Sequence, residues 1–188
     1  MEILLGVCLG AGLSAACGFR VFVPLLVVSI AALSGHVTLA SPFAWIGSYP
    51  ALVVFGAATA FEVSAYYVPW LDNLLDAIST PAAVVAGIVL TASFVTGVSP
   101  LMRWTLAIIV GGGAAGTVQV ATDAVRLASS VSTGGVGNPL VATGEIIGST
   151  VLSLLAVAVP VVAGVVAFLV VFLIITVLFF RRRTPEAT

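Results

Sequence analysis

Seven ionisable side chains sit in or beside apolar stretches of this chain: Arg20, Glu62, Asp72, Asp76, Asp123, Arg126 and Glu145. An Arg or Asp at the centre of a lipid-crossing helix costs roughly 2.5–3.5 kcal/mol on insertion scales. Side chains so costly must be paired, lined by water or used. Ion pairs that lock helices together are the plain reading, and a polar cavity for a substrate or ion is the functional one. Glu62 lies one helical turn from Tyr66, so a carboxylate and a phenol share a face. Asp72 and Asp76 share another, with Asn73 beside them. Like charges at that spacing repel, so a cation, an arginine or water must compensate them. Asp123 and Arg126 are three apart and can pair within their own helix. Arg20 has no local partner, so a carboxylate from another segment is expected, Glu62 or Glu145. Gln119 adds a polar group within an apolar segment, and Glu145 lies two turns into a helix opened by Asn138 and Pro139.

Two strings, Ile78-Ser79-Thr80-Pro81 and Thr133-Gly134-Gly135-Val136-Gly137-Asn138-Pro139, look like broken entries into helices. Such entries leave backbone N–H groups free to face an anion, or carbonyls free to face a cation. Where an arginine is close, the anion is the better partner. A second pattern is one of packing. Gly6, Gly10, Ser14 and Gly18 recur every four residues, as do Gly112 with Gly116 and Gly144 with Gly148. These faces let helix backbones approach closely and suit a homo-oligomer as well as the bundle itself. The glycines at 111–116 are no phosphate loop, since no Lys follows and no strand precedes. No cofactor or metal spacing is present: there is one His, and Cys8 and Cys17 fall on opposite faces of a helix.

The elements that must carry these residues follow from composition. The 188 residues are 61% hydrophobic and 7% charged, with mean hydropathy +1.31. A soluble domain carries about a quarter charged residues. Cut into spans of roughly 20 residues, the apolar material makes five or six crossings, six being favoured. The expected architecture is therefore all-α: a polytopic transmembrane helix bundle with broken or re-entrant segments. Residues 1–180 form one transmembrane domain and 181–188 a basic tail. All six basic residues are arginine and the net charge is −1, which gives no footprint for nucleic acid. The lipid bilayer is the expected partner.

Segment one, residues 3–33, is longer than one crossing needs and is interrupted near Gly18-Phe19-Arg20 and Pro24. It is one tilted helix or two pieces. Residues 34–50, with Trp45 and Tyr49, read as an interfacial loop. Segment two covers about 51–68, and segment three runs from Pro81, at a first helical position after a Thr80 cap, to about Val95. Residues 96–100 form a tight turn. Segment four spans about 103–126 and is followed by a Gly-rich loop over 129–139. The last apolar block, 140–180, would be about 60 Å long as a single helix, so a turn back near Pro160–Gly164 is favoured. The closing Arg181-Arg182-Arg183 places the C-terminus in the cytoplasm by the positive-inside tendency. Gly10 precedes Arg20 and Gly116 precedes Arg126 by the same interval, a faint echo of the inverted repeats of transporters.

Three strings together are specific: Ala15-Ala16-Cys17-Gly18-Phe19-Arg20-Val21-Phe22-Val23-Pro24, Tyr66-Tyr67-Val68-Pro69-Trp70-Leu71-Asp72-Asn73-Leu74-Leu75-Asp76, and the stretch from Thr133 to Pro139. In these the chain resembles a bacterial membrane family, "domain of unknown function 4126", over roughly residues 3–160. The resemblance implies a small multi-span inner-membrane protein and supplies no substrate or catalytic residue.

The residues themselves favour a transporter, channel or lipid translocator with a polar intramembrane site for an anionic substrate or a lipid phosphate. Its pathway would draw on Arg20, Glu62, Tyr66, Asp72, Asn73, Asp76, Gln119, Asp123, Arg126, Asn138 and Glu145. One alternative is a magnesium-dependent membrane enzyme on prenyl or phospholipid diphosphates, in which Asp72 and Asp76 resemble half of an Asp-rich motif. Another is a structural or assembly subunit whose charges are all paired.

Overall fold

The computed structural model describes the backbone of residues 1–66 and 69–181, with side chains for these except 69–77, 178 and 181. Among the described residues there are eight α-helices and no strand. The first, α1, covers Glu2–Cys17, and after a four-residue break α2 covers Phe22–Leu33. A 3-10 turn at Ser41–Gly47 leads into α3, Tyr49–Ala65. Next come α4 (Pro69–Phe94) and α5 (Pro100–Leu106), the latter running through a π-helical stretch, Ala107–Gly112, into α6 (Gly113–Thr133). The last two are α7 (Asn138–Ala158) and α8 (Pro160–Arg181).

Helix α1 lies at the centre because its sequence has no polar face to present. It is small and apolar all round, which suits a helix covered on every side. It packs most extensively on α4 and α8 and then on α7 and α6. The approach to α4 is backbone-close: a Cβ added at Gly10 would lie 2.8 Å from Thr91 Cα, and one at Gly6 would strike the Phe94 carbonyl oxygen. Ser14 fixes the register, donating to the Gly87 carbonyl at 2.8 Å and sharing a 2.9 Å bond with Thr91 Oγ1. The small-residue face of α1 is thus a packing face, as its spacing implies. The same spacing misleads at Gly144, where an added Cβ would meet nothing. No helix crosses there, and Gly144 borders a groove instead.

Among the described residues, three helices are long and apolar enough to cross a membrane: Pro100–Thr133, Asn138–Ala158 and Pro160–Val177. Counting the 3-10 turn and α3, bent by 62° at their junction, as one span gives a fourth, against the five or six expected. Helix α4 enters this count through Ile78–Phe94 alone. Segment one splits at Gly18 into helices of 16 and 12 residues, each below the roughly 20 that a crossing needs. The exterior is nonetheless apolar, with Val53, Phe61, Ile109, Leu127, Leu140, Val151, Phe168 and Phe172 all exposed. Helix α8 buries little besides Ala163 and Ala167. Such a surface is stable in hydrocarbon, where an exposed apolar side chain has no reason to turn inward.

Three boundaries differ from those read in the sequence, and a fourth agrees. Pro81 lies inside α4 rather than at a first helical position, so Ile78–Pro81 is no broken entry. Membrane helices tolerate an interior proline because neighbours re-satisfy the freed backbone groups. Helix α6 continues to Thr133, so the Gly-rich loop shrinks to residues 134–137, turned by Gly134 and Gly135 at φ 63° and 88°. Residues 34–50 are not merely an interfacial loop. They fold back so that Ile46 is fully buried and the Ala40 amide donates to the Ser93 carbonyl at 2.8 Å. The last apolar block divides at Val159 into α7 and α8, which pack together, as its length requires.

Candidate functional site

The site grows out of the break between α1 and α2. Helix hydrogen bonding ends with the Arg20 amide, which donates to the Ala16 carbonyl at 3.1 Å, and Pro24 in the first turn of α2 cannot donate, so the chain restarts rather than runs through. Restarting leaves amides and carbonyls without intrahelical partners. Three other helices supply them. Glu62 of α3 takes the amides of Val21 at 2.8 Å (Oε1) and Phe22 at 3.1 Å (Oε2), capping α2 with a carboxylate. Ser149 of α7 adds a bond at 3.0 Å to the Ala16 carbonyl, which also accepts from the Phe19 and Arg20 amides. The Thr122 hydroxyl of α6 lies 3.3 Å from the Gly18 carbonyl and 2.8 Å from that of Gln119. A carboxylate at a helix N-terminus is favoured by the free amides and the helix dipole together.

Held in this break, Arg20 is 1% exposed. Its Nη2 lies 2.9 Å from Glu145 Oε2 and donates to the Ala142 carbonyl at 3.2 Å. Arg126 of α6 reaches the same carboxylate in fork geometry, through Nε to Oε1 at 2.9 Å and through Nη2 to Oε2. One carboxylate therefore serves two guanidinium groups. Tyr66, at the C-terminal end of α3, provides the surface beneath them: the Arg20 and Arg126 guanidinium carbons lie 3.7 and 3.9 Å from its ring centroid. Arginine stacks on an aromatic face more readily than lysine, and the ring's negative quadrupole offsets part of the positive charge. Glu62, Arg126 and Glu145 are each buried to within a few per cent, as is Tyr66. Of these two carboxylates, Glu145 contacts the guanidinium groups and Glu62 the amides of the restart. The Nε and Nη1 atoms of Arg20 have no hydrogen-bond partner among the described residues.

A second polar cluster lies one to two turns N-terminal to Arg126 along α6. Gln119 Nε2 donates to Ser79 Oγ at 3.0 Å and to Asp123 Oδ1 at 2.8 Å, and Thr80 Oγ1 donates to Asp123 Oδ2 at 3.1 Å. The local Asp123–Arg126 pair that the spacing allows is not formed. Gln119 and Thr80 satisfy Asp123 from closer, and Arg126 turns to Glu145. This ties α6 to α4 just beside Pro81.

Of the residues expected in a pathway, the structure brings Arg20, Tyr66, Arg126 and Glu145 into direct contact, with Glu62 behind Arg20. Gln119 and Asp123 belong to the neighbouring cluster. Asn138 stands about 10 Å from Glu145 along α7 at 1.5 Å per residue, where its amide donates to Ser130 Oγ at 2.9 Å and ties the loop back to α6. The side chains of Asp72, Asn73 and Asp76 lie outside the described residues. Sequence reasoning missed Thr122, Ser149 and the Val21 and Phe22 amides. The signal for them was Pro24 after a Gly, which announces a restart whose orphan groups need partners.

Two grooves flank the site. One, about 340 Å³, is walled by Phe19, α6, α7 and α8 and touches Glu145. The other, about 460 Å³, is apolar throughout and lies between α2, α3 and α4 beneath Trp45. Both are of a size that holds small molecules. Among the described residues, no group of three or more His, Cys, Asp or Glu is placed to hold a metal ion.

No curated protein and no solved structure matches the chain. The family model described as "Domain of unknown function (DUF4126)" matches residues 7–179, almost the whole described fold, so the chain belongs to that family.

Proposed function

We propose that this protein is a bacterial inner-membrane translocator or carrier. In this reading it binds an anionic group, a free anion or a lipid phosphate, at the Arg20–Arg126–Glu145 centre. The C-terminus is cytoplasmic, and α1, α2 and α4 complete five or six crossings between them. The observation that carries the reading is Arg20: buried, stacked on Tyr66, and left with two N–H-bearing atoms unpartnered. A buried guanidinium that only locked helices would be expected to spend its donors, since each orphan costs about 1–3 kcal/mol. Donors held ready in a low-dielectric site suit an oxyanion.

The test is reconstitution into liposomes. Anion efflux and headgroup movement of an anionic lipid are compared between wild type and Arg20→Gln or Arg126→Gln. Loss of one of these activities in both variants, with the fold retained, is expected. Activity equal to wild type in both would overturn the assignment. A structural role is the competing reading, favoured by the fork contact of Arg126 on Glu145. It predicts no movement of either kind in the wild type. The magnesium-enzyme reading rests on Asp72 and Asp76, and nothing described supports it.

A further inference from the structure

Asp123 is the carboxylate that the Arg20 centre leaves out. It lies about 10 Å beyond the midpoint of the helix Pro100–Thr133 at 1.5 Å per residue. With that helix centred in a hydrocarbon core about 30 Å thick, Asp123 is inside the core. Its partners among the described residues are neutral: Thr80 Oγ1 donates to one oxygen at 3.1 Å and Gln119 Nε2 to the other at 2.8 Å. Arg126, three residues on, reaches instead for Glu145 and lies over Tyr66. Two neutral donors satisfy the hydrogen bonding of Asp123 but leave its negative charge in place, and charge at such depth is costly.

Oxygen atoms gather around this carboxylate. Ser79 Oγ also accepts from Gln119 Nε2, at 3.0 Å, so one amide nitrogen bridges the Ser79 hydroxyl and the Asp123 carboxylate. Ser79 and Gln119 are buried, and Thr80 and Asp123 half-buried. The other end of the Gln119 amide is an acceptor oxygen. Half a turn of the amide brings that oxygen to where the nitrogen now stands, facing a hydroxyl and a carboxylate oxygen. With the Thr80 hydroxyl these make a set of hard oxygen donors, the chemistry that hard cations select. The set carries one negative charge, which balances one positive charge. Pro81, inside α4 and next to Thr80, is an independent sign of such a site. It brings no amide to the preceding turn, and interrupted membrane helices are where backbone carbonyls face a cation.

We propose that Ser79, Thr80, Gln119 and Asp123 form a binding site for a small monovalent cation between α4 and α6. Without the cation, the Gln119 amide group closes the site on itself by donating to Ser79 and Asp123. With it, the amide turns and presents its oxygen. The cation then supplies the positive charge that Arg126 does not, and it joins α4 to α6 more firmly than the hydrogen bonds alone. The inference goes beyond the anion reading and does not depend on it, since none of these four residues touches Arg20 or Glu145.

Thermal unfolding of the full-length protein in detergent tests the site, with sodium as the probe. Sodium chloride, choline chloride and magnesium chloride are compared at one ionic strength and one chloride concentration, so an anion effect drops out. The midpoint should be higher in sodium than in choline and should rise with the logarithm of sodium concentration, as linkage requires. Magnesium should do no more than choline. Asp123→Asn keeps the side chain's size and removes its charge, and should abolish the sodium response. Thr80→Val removes one oxygen, should shift the sodium dependence about tenfold to higher concentration, and serves if Asp123→Asn folds poorly. Equal midpoints in sodium and choline for the wild type would overturn the proposal. So would a sodium response kept in full by both variants. A magnesium response as large as that of sodium would overturn the assignment to a monovalent ion.

Discussion

Glu62 Oε1 accepts a hydrogen bond from the Val21 amide at 2.8 Å, so a carboxylate in the last turns of α3 caps the helix that restarts after Arg20. The contact joins two matters that are separate in sequence: how a buried glutamate is tolerated and how a broken helix is sealed. The free amides neutralise the carboxylate, and the carboxylate satisfies the amides. Replacement by Ala should orphan two buried N–H groups and destabilise by about 3 kcal/mol, each charge-assisted bond being worth about 1.5–3 kcal/mol. Glu62→Gln keeps one acceptor and should cost roughly half as much. Unfolding midpoints in detergent give the comparison, and equal costs for Ala and Gln would refute the capping role.

Tyr66 should matter first through its ring. Both guanidinium groups lie over it within 4 Å of the centroid. A desolvated cation–π contact is worth about 2 kcal/mol or more. Tyr66→Leu should therefore destabilise by at least that amount, and Tyr66→Phe by clearly less, since only the hydroxyl is lost. A Phe variant as unstable as the Leu variant would show that the hydroxyl, not the ring, holds the arginines.

Much of this centre is visible before the fold is known, and the reason is electrostatic. A lone Arg20 in an apolar segment demands a distant carboxylate, and Glu62 and Glu145 in other apolar segments are the candidates. Which of them pairs with it depends on the helix break, whose free amides claim Glu62. The Asp123–Arg126 spacing was a poor guide because a helical neighbour, Gln119, competes for Asp123 from four residues away. Pro81 shows a different limit. A Thr-Pro pair opens helices in water, but inside a membrane bundle a proline interrupts one hydrogen bond without ending the helix. The glycine faces illustrate a third, since spacing places a bare stripe on a helix and says nothing of whether another helix lies across it.

That last point gives a paired prediction. Gly6 and Gly111 face backbone carbonyl oxygens, those of Phe94 and Gly87, too closely for any Cβ. Substitution by Ala at either should force α1 or the π-helical stretch Ala107–Gly112 away from α4 and cost about 1–3 kcal/mol from overpacking. Gly144→Ala has open space and regular helical geometry, so it should stabilise by about 0.4–1 kcal/mol through the unfolded state. Chemical or thermal unfolding of the three variants under one detergent condition decides it. A destabilised Gly144→Ala would mean that something packs there.

The shared carboxylate predicts non-additivity at the centre. Removing its charge with Glu145→Gln takes from Arg20 and Arg126 the carboxylate they share, and breaking a buried pair in this way costs about 3–5 kcal/mol. Arg126→Gln should cost less, because Arg20 still holds Glu145 at 2.9 Å. In the double variant Arg126→Gln/Glu145→Gln both partners of the fork contact are neutralised together. Its cost should fall well short of the sum of the single costs, with a coupling of about 0.5–3 kcal/mol. A double-mutant cycle of unfolding free energies measures the coupling. Strictly additive costs would mean that Arg126 and Glu145 act independently despite their contact.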